Sequence, residues 1–135
     1  MAKVLVFGTF DGLHPGHSYF LDQAKKHGDY LVAVVSRDEA VQELKGHPPK
    51  FSLEERTRFL VEENIIDEIE IADEELGSWG VLRKHKPEVI VLGYDQVALG
   101  ESLKERLSDF DWQPRIEIVN ALSPEVNKSS ILNKE

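Results

Sequence analysis

The densest group of chemically competent residues lies near the start of the chain, in Gly8-Thr9-Phe10-Asp11-Gly12-Leu13-His14-Pro15-Gly16-His17. His14 and His17 stand three residues apart, so on a helix both imidazoles face one point at its entrance. Imidazole titrates near neutrality and can donate to phosphate oxygens as charge builds on them. Gly8, Gly12 and Gly16 let the main chain approach a ligand without Cβ atoms in the way. Pro15 suits the first helical position, where its missing N–H is not needed. Unpaired N–H groups at such a helix start attract anions, phosphate above all. A zinc site competes poorly, because the chain has no Cys and two histidines leave a tetrahedral metal short of ligands.

Three further segments carry groups that suit an anionic substrate. Lys45 and Lys50 bracket a loop rich in Gly and Pro, Lys45-Gly46-His47-Pro48-Pro49-Lys50, and Arg56 follows it. Such a loop can close over a charged ligand and bring a cation with it; the competing explanation for each cation is an ordinary solvated charge. In Gly93-Tyr94-Asp95-Gln96, Gly93 lets a base lie against the backbone and Asp95 can accept hydrogen bonds from a ribose or an exocyclic amine. A plain turn made by Gly and Asp is the alternative. Near the end, Ser129 and Ser130 after Lys128 offer two hydroxyls for a phosphate, or an N-cap with no ligand.

The elements that must position these groups follow from periodicity. Val4 to Phe7 is an apolar run leading into the His-bearing turn, and Phe20, Leu21 and Ala24 have helical spacing. Lys25-Lys26-His27-Gly28 ends that helix, with cations in its last turn and Gly28 at the C′ position. Tyr30 to Val35 is a second apolar strand, and Ser36 opens a short helix through Leu44. Ser52-Leu53-Glu54-Glu55 is a capping box that starts a third helix through Arg56, Phe59 and Leu60. Ile66 to Ile71 alternates apolar with acidic, as a strand with one wet face does. Trp79 to Lys86 is helical until Pro87, Val89 to Leu92 is a strand, Glu101 to Phe110 is helical, Arg115 to Val119 alternates, and Lys128 to Leu132 forms a last short helix.

Strands and helices in alternation predict a Rossmann-like three-layer α/β sandwich. The strands from Val4, Tyr30 and Val89 are apolar throughout and belong at the centre of a parallel sheet, while those around Ile69 and Ile116 alternate and belong at its edges. With right-handed crossovers, the five strands take the order 3-2-1-4-5. Strands one and four are then neighbours where the winding reverses, and open α/β sheets bind ligands there, beyond the strands' carboxyl ends. Periodicity thus brings the Gly8 and Gly93 turns together. At 135 residues the chain suits a single domain, 1–135. Its net charge of −9 argues against wide nucleic-acid or anionic-membrane surfaces. The start, Met1-Ala2-Lys3, has no signal-peptide pattern, and the chain has no apolar run of spanning length, so a cytoplasmic protein is expected.

The apolar strand, the Gly-Thr-Phe-Asp turn and the His14-Pro15-Gly16-His17 motif together resemble the cytidylyltransferase-like nucleotidyltransferases. That family includes glycerol-3-phosphate cytidylyltransferases, phosphopantetheine adenylyltransferases and archaeal-type FAD synthases. The resemblance implies attack by a substrate phosphate on the α-phosphorus of a nucleoside triphosphate, with release of pyrophosphate. It gives His14 and His17 to the α- and β-phosphates, and Lys45 and Arg56 to the leaving pyrophosphate. Gly8, Thr9, Phe10, Gly16, Gly93, Tyr94, Asp95, Ser129 and Ser130 become the nucleotide-binding set, with Asp11 orienting a group or sitting near Mg²⁺. The ion would arrive with the triphosphate and keep few protein ligands. Gly93-Tyr94-Asp95-Gln96 is similar to the same turn of archaeal-type FAD synthases, which favours ATP and FMN; CTP with glycerol 3-phosphate or a related polyol phosphate is the alternative, and a nucleotide-binding module without turnover the third. Two departures bear on the acceptor: residues 120–127 hold no Arg, and the chain end has no Cys. The family also suggests a homodimer, with Trp79, Trp112 and the edge strands as candidate contacts.

Overall fold

The structure, a computed structural model, describes residues 2–12, 15–73, 79–94 and 96–120. His14, Asp95, Ser129, Ser130 and the helix expected from Lys128 lie outside them. Five parallel strands form one sheet: β1 (Lys3–Gly8), β2 (Tyr30–Val35), β3 (Glu68–Ile71), β4 (Val89–Gly93) and β5 (Arg115–Val119), in the order β3-β2-β1-β4-β5. This is the predicted order. Five helices join them: α1 (Pro15–Lys25), α2 (Asp38–Lys45), α3 (Leu53–Val61), α4 (Gly80–His85) and α5 (Val97–Arg106), the last followed by a 3₁₀ turn, Leu107–Asp109.

Side-chain alternation along the central strands builds two cores. Val4, Val6, Ala33, Val35, Val89 and Val91 face Leu21 and Ala24 of α1 and Leu60 of α3. Leu5, Val32, Val34, Ile90 and Leu92 face Val81 and Leu82 of α4 and Leu103 of α5. Each fully buried aliphatic side chain contributes about 1.5–3 kcal/mol, so strands apolar on both faces are held at the centre. The edge strand β3 is only half-buried at every position. α1, after β1, and α3, before β3, lie on one face, and α4 and α5, after β3 and β4, on the other, so the winding reverses between β1 and β4.

Several element ends differ from expectation. α5 begins at Val97 rather than Glu101, and within it Gly100 packs closely on β4, where a Cβ would stand 3.2 Å from Leu92 Cδ1. α2 starts at Asp38 rather than Ser36, and its N-cap, Arg37, makes no side-chain cap. Gly28 is not a left-handed cap: positive-φ glycines among the described residues are Gly12 and Gly46. Its missing Cβ leaves room for β1, since that atom would lie 2.6 Å from the Ala2 carbonyl and from Val4 Cγ2. The left-handed cap belongs to Gly46 instead, whose N–H donates to Gln42 O at the end of α2. The capping box at Ser52 and Glu55 forms as predicted.

Candidate active site

The Gly8 turn leaves β1 at the carboxyl edge of the sheet and enters α1 at Pro15, the first helical residue. Its conformation is unusual. Phe10 has φ 53°, a left-handed geometry that costs a bulky residue about 1–2 kcal/mol. Burial holds it there: Phe10 is 2% exposed and belongs to the core on the α1 face. Its ring lies against Gly8, where a Cβ would come within 2.6 Å of Phe10 Cζ, and against the His17 ring at 5.8 Å between centroids. Gly8 is therefore glycine for the sake of the Phe10 ring. The part of Phe10 available to a ligand is its main chain.

Four successive carbonyls of this segment accept hydrogen bonds from the protein. Phe7 O accepts from Gln96 Nε2 (2.9 Å), Gly8 O from Ser36 N (3.0 Å) and Phe10 O from Gly12 N (2.9 Å). Thr9 O accepts from an Arg56 guanidinium nitrogen at 2.7 Å. Oxygen lone pairs that would repel an anion are thus committed elsewhere, beside a helix start that attracts one. His17 stands in the first turn of that helix, half-buried.

Arg56 occupies a different place from the one its charge suggested. It is 0% exposed. Its Nε donates to Phe51 O (3.1 Å), one terminal nitrogen to Thr9 O (2.7 Å) and the other to Asp38 Oδ1 (2.5 Å). In this geometry it ties the turn, the loop and the start of α2 together and does not face the crevice. Asp38, its acidic partner, was not singled out from the sequence. A fork-shaped cation with three acceptors is a strut of high specificity.

Asp11 has an orienting role. Its carboxylate accepts the backbone N–H of Lys50 (2.7 Å) and of Phe51 (2.8 Å), which pins the far end of the Lys45–Lys50 loop to the turn. Burial by itself would raise the Asp11 pKa; the two amides, with Arg56 and Lys45 nearby, outweigh it and hold the carboxyl below its ordinary value. Each carboxylate oxygen thus accepts one loop amide. Gly12, at φ 88°, presses against Phe51, whose ring packs edge-on against Phe59 at 4.9 Å. Lys45 and Lys50 are both exposed; Lys45, at the end of α2, is near enough for its charge to act on Asp11.

Across the crevice, Gly93 ends β4 and Tyr94 is 57% exposed. Gln96 turns back on this segment: its N–H donates to Gly93 O (3.0 Å) and its Oε1 accepts from Gly93 N (2.7 Å). The sequence marked Gln96 as part of the turn and missed its role. Of the two tryptophans expected as interface contacts, Trp79 is buried and Trp112 half-buried. Trp79 is 7% exposed and packs edge-on against Phe7; Trp112 stacks on Phe110 and donates to Pro87 O.

A second polar cluster lies at the opposite, amino end of the sheet. Glu68, Glu70 and His85 bring their ligand atoms within 4.8 Å of one another. Its groups already partner one another: Lys84 Nζ meets Glu70 Oε1 at 3.0 Å, His85 Nε2 lies 2.7 Å from the same oxygen, and Lys3 Nζ lies 3.4 Å from His85 Nδ1. A metal-bound imidazole needs an acceptor, not an ammonium, at its other nitrogen. The cluster is therefore an ion-pair network.

Known proteins share this fold and much of this sequence. A FAD synthase of Ferroglobus placidus is 46% identical over 109 residues, covering 79% of this chain and 68% of that protein. One from Pyrococcus abyssi is 41% identical over 105 residues, 78% of this chain and 71% of that protein. The crystal structure of the lipopolysaccharide core biosynthesis protein from Thermoplasma volcanium superposes with a TM-score of 0.83 at 30% identity, over 91% of this chain and 99% of that one. Pantoate-beta-alanine ligase from Francisella tularensis, at 15% identity and a TM-score of 0.65, shares the fold. Among the described residues, no helix is long and apolar enough to cross a membrane. The cytidylyltransferase-like family model matches residues 5–130, which takes in the His-bearing turn, the tethered loop and the Gly93 turn, and the chain belongs to that family.

Proposed function

We propose that this protein transfers the adenylyl group of ATP to FMN, giving FAD and pyrophosphate. The observation that carries the reading is the 46% identity to a FAD synthase, in a chain whose family match spans both turns at the crevice. An FMN phosphate oxygen attacks the α-phosphorus of ATP, the bond to the bridging oxygen breaks, and pyrophosphate takes the electron pair. Such a transfer needs alignment and neutralisation of charge more than a protein nucleophile. His14 and His17 donate to the α- and β-phosphates, and Lys45 approaches the leaving pyrophosphate from the loop. Arg56 acts through the Thr9 carbonyl that it holds. Gly93, Tyr94 and Asp95 form the wall for ribose and base, and Ser129 and Ser130 a further phosphate contact.

Mg²⁺ would come with the nucleotide and supply charge neutralisation, with few ligands from this chain. A homodimer in the cytoplasm is the matching cellular form. The test is a pyrophosphate-release assay of ATP and CTP, each against FMN and glycerol 3-phosphate, with the nucleotide product identified by chromatography. FAD from ATP and FMN alone is expected; CDP-glycerol from CTP would replace this reading.

A further inference from the structure

β1 pairs with β2 as far as Gly8↔Val35, and β4 pairs with β5 as far as Gly93↔Val119, but the pairing of β1 with β4 stops at Val6↔Val91. The two central strands therefore keep their outer partners while parting from each other over their last two residues. In a parallel ladder with this register, the next rung would join the Gly93 N–H to the Phe7 carbonyl. That rung is replaced by a side chain. The Gly93 N–H donates to Gln96 Oε1 at 2.7 Å, and Gln96 Nε2 donates to Phe7 O at 2.9 Å.

We infer that the Gln96 amide is a spacer inserted into the β1–β4 ladder, which holds the crevice open at a fixed width and so positions its two walls for the nucleotide. The gap it spans is two hydrogen bonds plus an amide, where the ladder would have one hydrogen bond. The amide is matched to the task because it offers one acceptor to a donor and one donor to an acceptor. A carboxylate lacks the donor, and an alanine lacks both. Its base is fixed as well: Gln96 N donates to Gly93 O and Gln96 O accepts from Gly100 N, both at 3.0 Å, so the spacer is seated at the start of α5. On one side stands the Gly8 turn leading to His17, and on the other Gly93 and Tyr94. Gln96 is a positioning residue, acting on the nucleotide through these backbones.

The inference rests on the crevice being the nucleotide site proposed above, and its test separates binding from turnover. Gln96→Ala and Gln96→Glu are compared with the unaltered chain for melting temperature, for ATP and CTP affinity by calorimetry, and for FMN adenylylation. Both variants are expected to fold with melting temperatures near that of the parent, to bind ATP more weakly, and to lose about 10²-fold in kcat/KM, the usual effect of an ångström-scale misplacement. The loss should fall mainly on KM, with Gln96→Glu no better than Gln96→Ala because its carboxylate faces the Phe7 carbonyl. A folded Gln96→Ala or Gln96→Glu protein with the parent's nucleotide affinity and kcat/KM overturns the inference. Should one variant fail to fold, the other decides. If the parent chain binds ATP or CTP but makes no FAD, the proposed reaction fails alone, and the affinities still decide the spacer; a parent that binds neither overturns both.

Discussion

Removing the Arg56 guanidinium separates a structural strut from a substrate contact. In Arg56→Ala, the Thr9 and Phe51 carbonyls lose their donor and Asp38 loses its counter-charge. A hydrogen bond involving a charged group contributes about 1.5–3 kcal/mol, and a buried polar group left unsatisfied costs about 1–3 kcal/mol. Asp38 is 45% exposed against 0% for Arg56, so its carboxylate rehydrates and its share is discounted. The two carbonyls and the lost packing then give a destabilisation of about 3–5 kcal/mol, in the range for removing one partner of a buried pair. For 135 residues, an unfolding entropy of about 2.1 cal/mol/K per residue converts this to a fall of about 10–18 °C in Tm. Arg56→Lys keeps a cation near Asp38 but cannot fork to three acceptors, and should lose about half as much. Thermal unfolding by circular dichroism measures both. If Arg56→Ala melts within about 3 °C of the parent and loses only turnover, the strut reasoning is refuted and Arg56 belongs to the leaving group.

Other outcomes follow from the same geometry. His17→Ala should lower turnover by about 10²–10³-fold, as loss of one preorganised donor does, with an unchanged far-ultraviolet spectrum; a near-normal rate of pyrophosphate release would show that His17 is no donor. Asp11→Asn offers an amide N–H to one of two backbone N–H groups that need an acceptor, so the 46–51 loop loses an anchor. Faster trypsin cleavage after Lys45 or Lys50 and a raised KM for ATP are expected, and unaltered proteolysis would count against the tether. Acid should destabilise the fold. Asp11 is held low because its loop amides and nearby cations outweigh burial, Asp67 by its Lys25 and Leu31 N–H bonds, and Glu70 because its His85 and Lys84 bonds outweigh burial. Folded-state pKa values below the unfolded ones mean that the unfolded chain binds more protons near pH 4. The contribution of these groups is present above the ordinary carboxylate range and is lost as pH falls through and below it. Urea midpoints that failed to drop between about pH 7 and about pH 3 would contradict this sign.

Much of the architecture could be read because burial writes itself into strands. Tyr30 to Val35 has no polar position to turn toward water, so it must be central, whereas Glu68 and Glu70 alternate with Ile69 and Ile71 and place their strand at an edge. Pro15 and the Ser52–Glu55 box fixed two helix starts through local rules that tertiary structure did not override. Glycines were harder to interpret. Gly8 and Gly28 have no left-handed φ; Gly8 is small because the Phe10 ring folds back over it, and Gly28 because Ala2 and Val4, from the distant start of β1, pack where its Cβ would be, which no local pattern records. Arg56 and Gln96 resisted for the same reason. A cation beside a candidate phosphate site reads as a ligand, yet its partners come from Thr9, Phe51 and Asp38. A Gln three residues after Gly93 reads as turn filler until the Phe7 carbonyl on the other side of the crevice is seen to accept from it where the pairing of β1 with β4 has stopped.

The anchors of the Gly8 turn explain how a strained backbone can serve as a binding surface. Its oxygens are held from the start of α5, from the end of β2, from α3 and from within the turn itself, so four independent bonds determine a conformation that Phe10 alone would disfavour. The same turn holds the loop through Asp11, and the loop carries Lys45 at one end and Lys50 at the other. Motion of the loop cations relative to the Gly8 turn is therefore limited by the Asp11 carboxylate. A rigid turn and a tethered cation beside it suit the proposed transfer, whose catalysis is mostly the placing of charge.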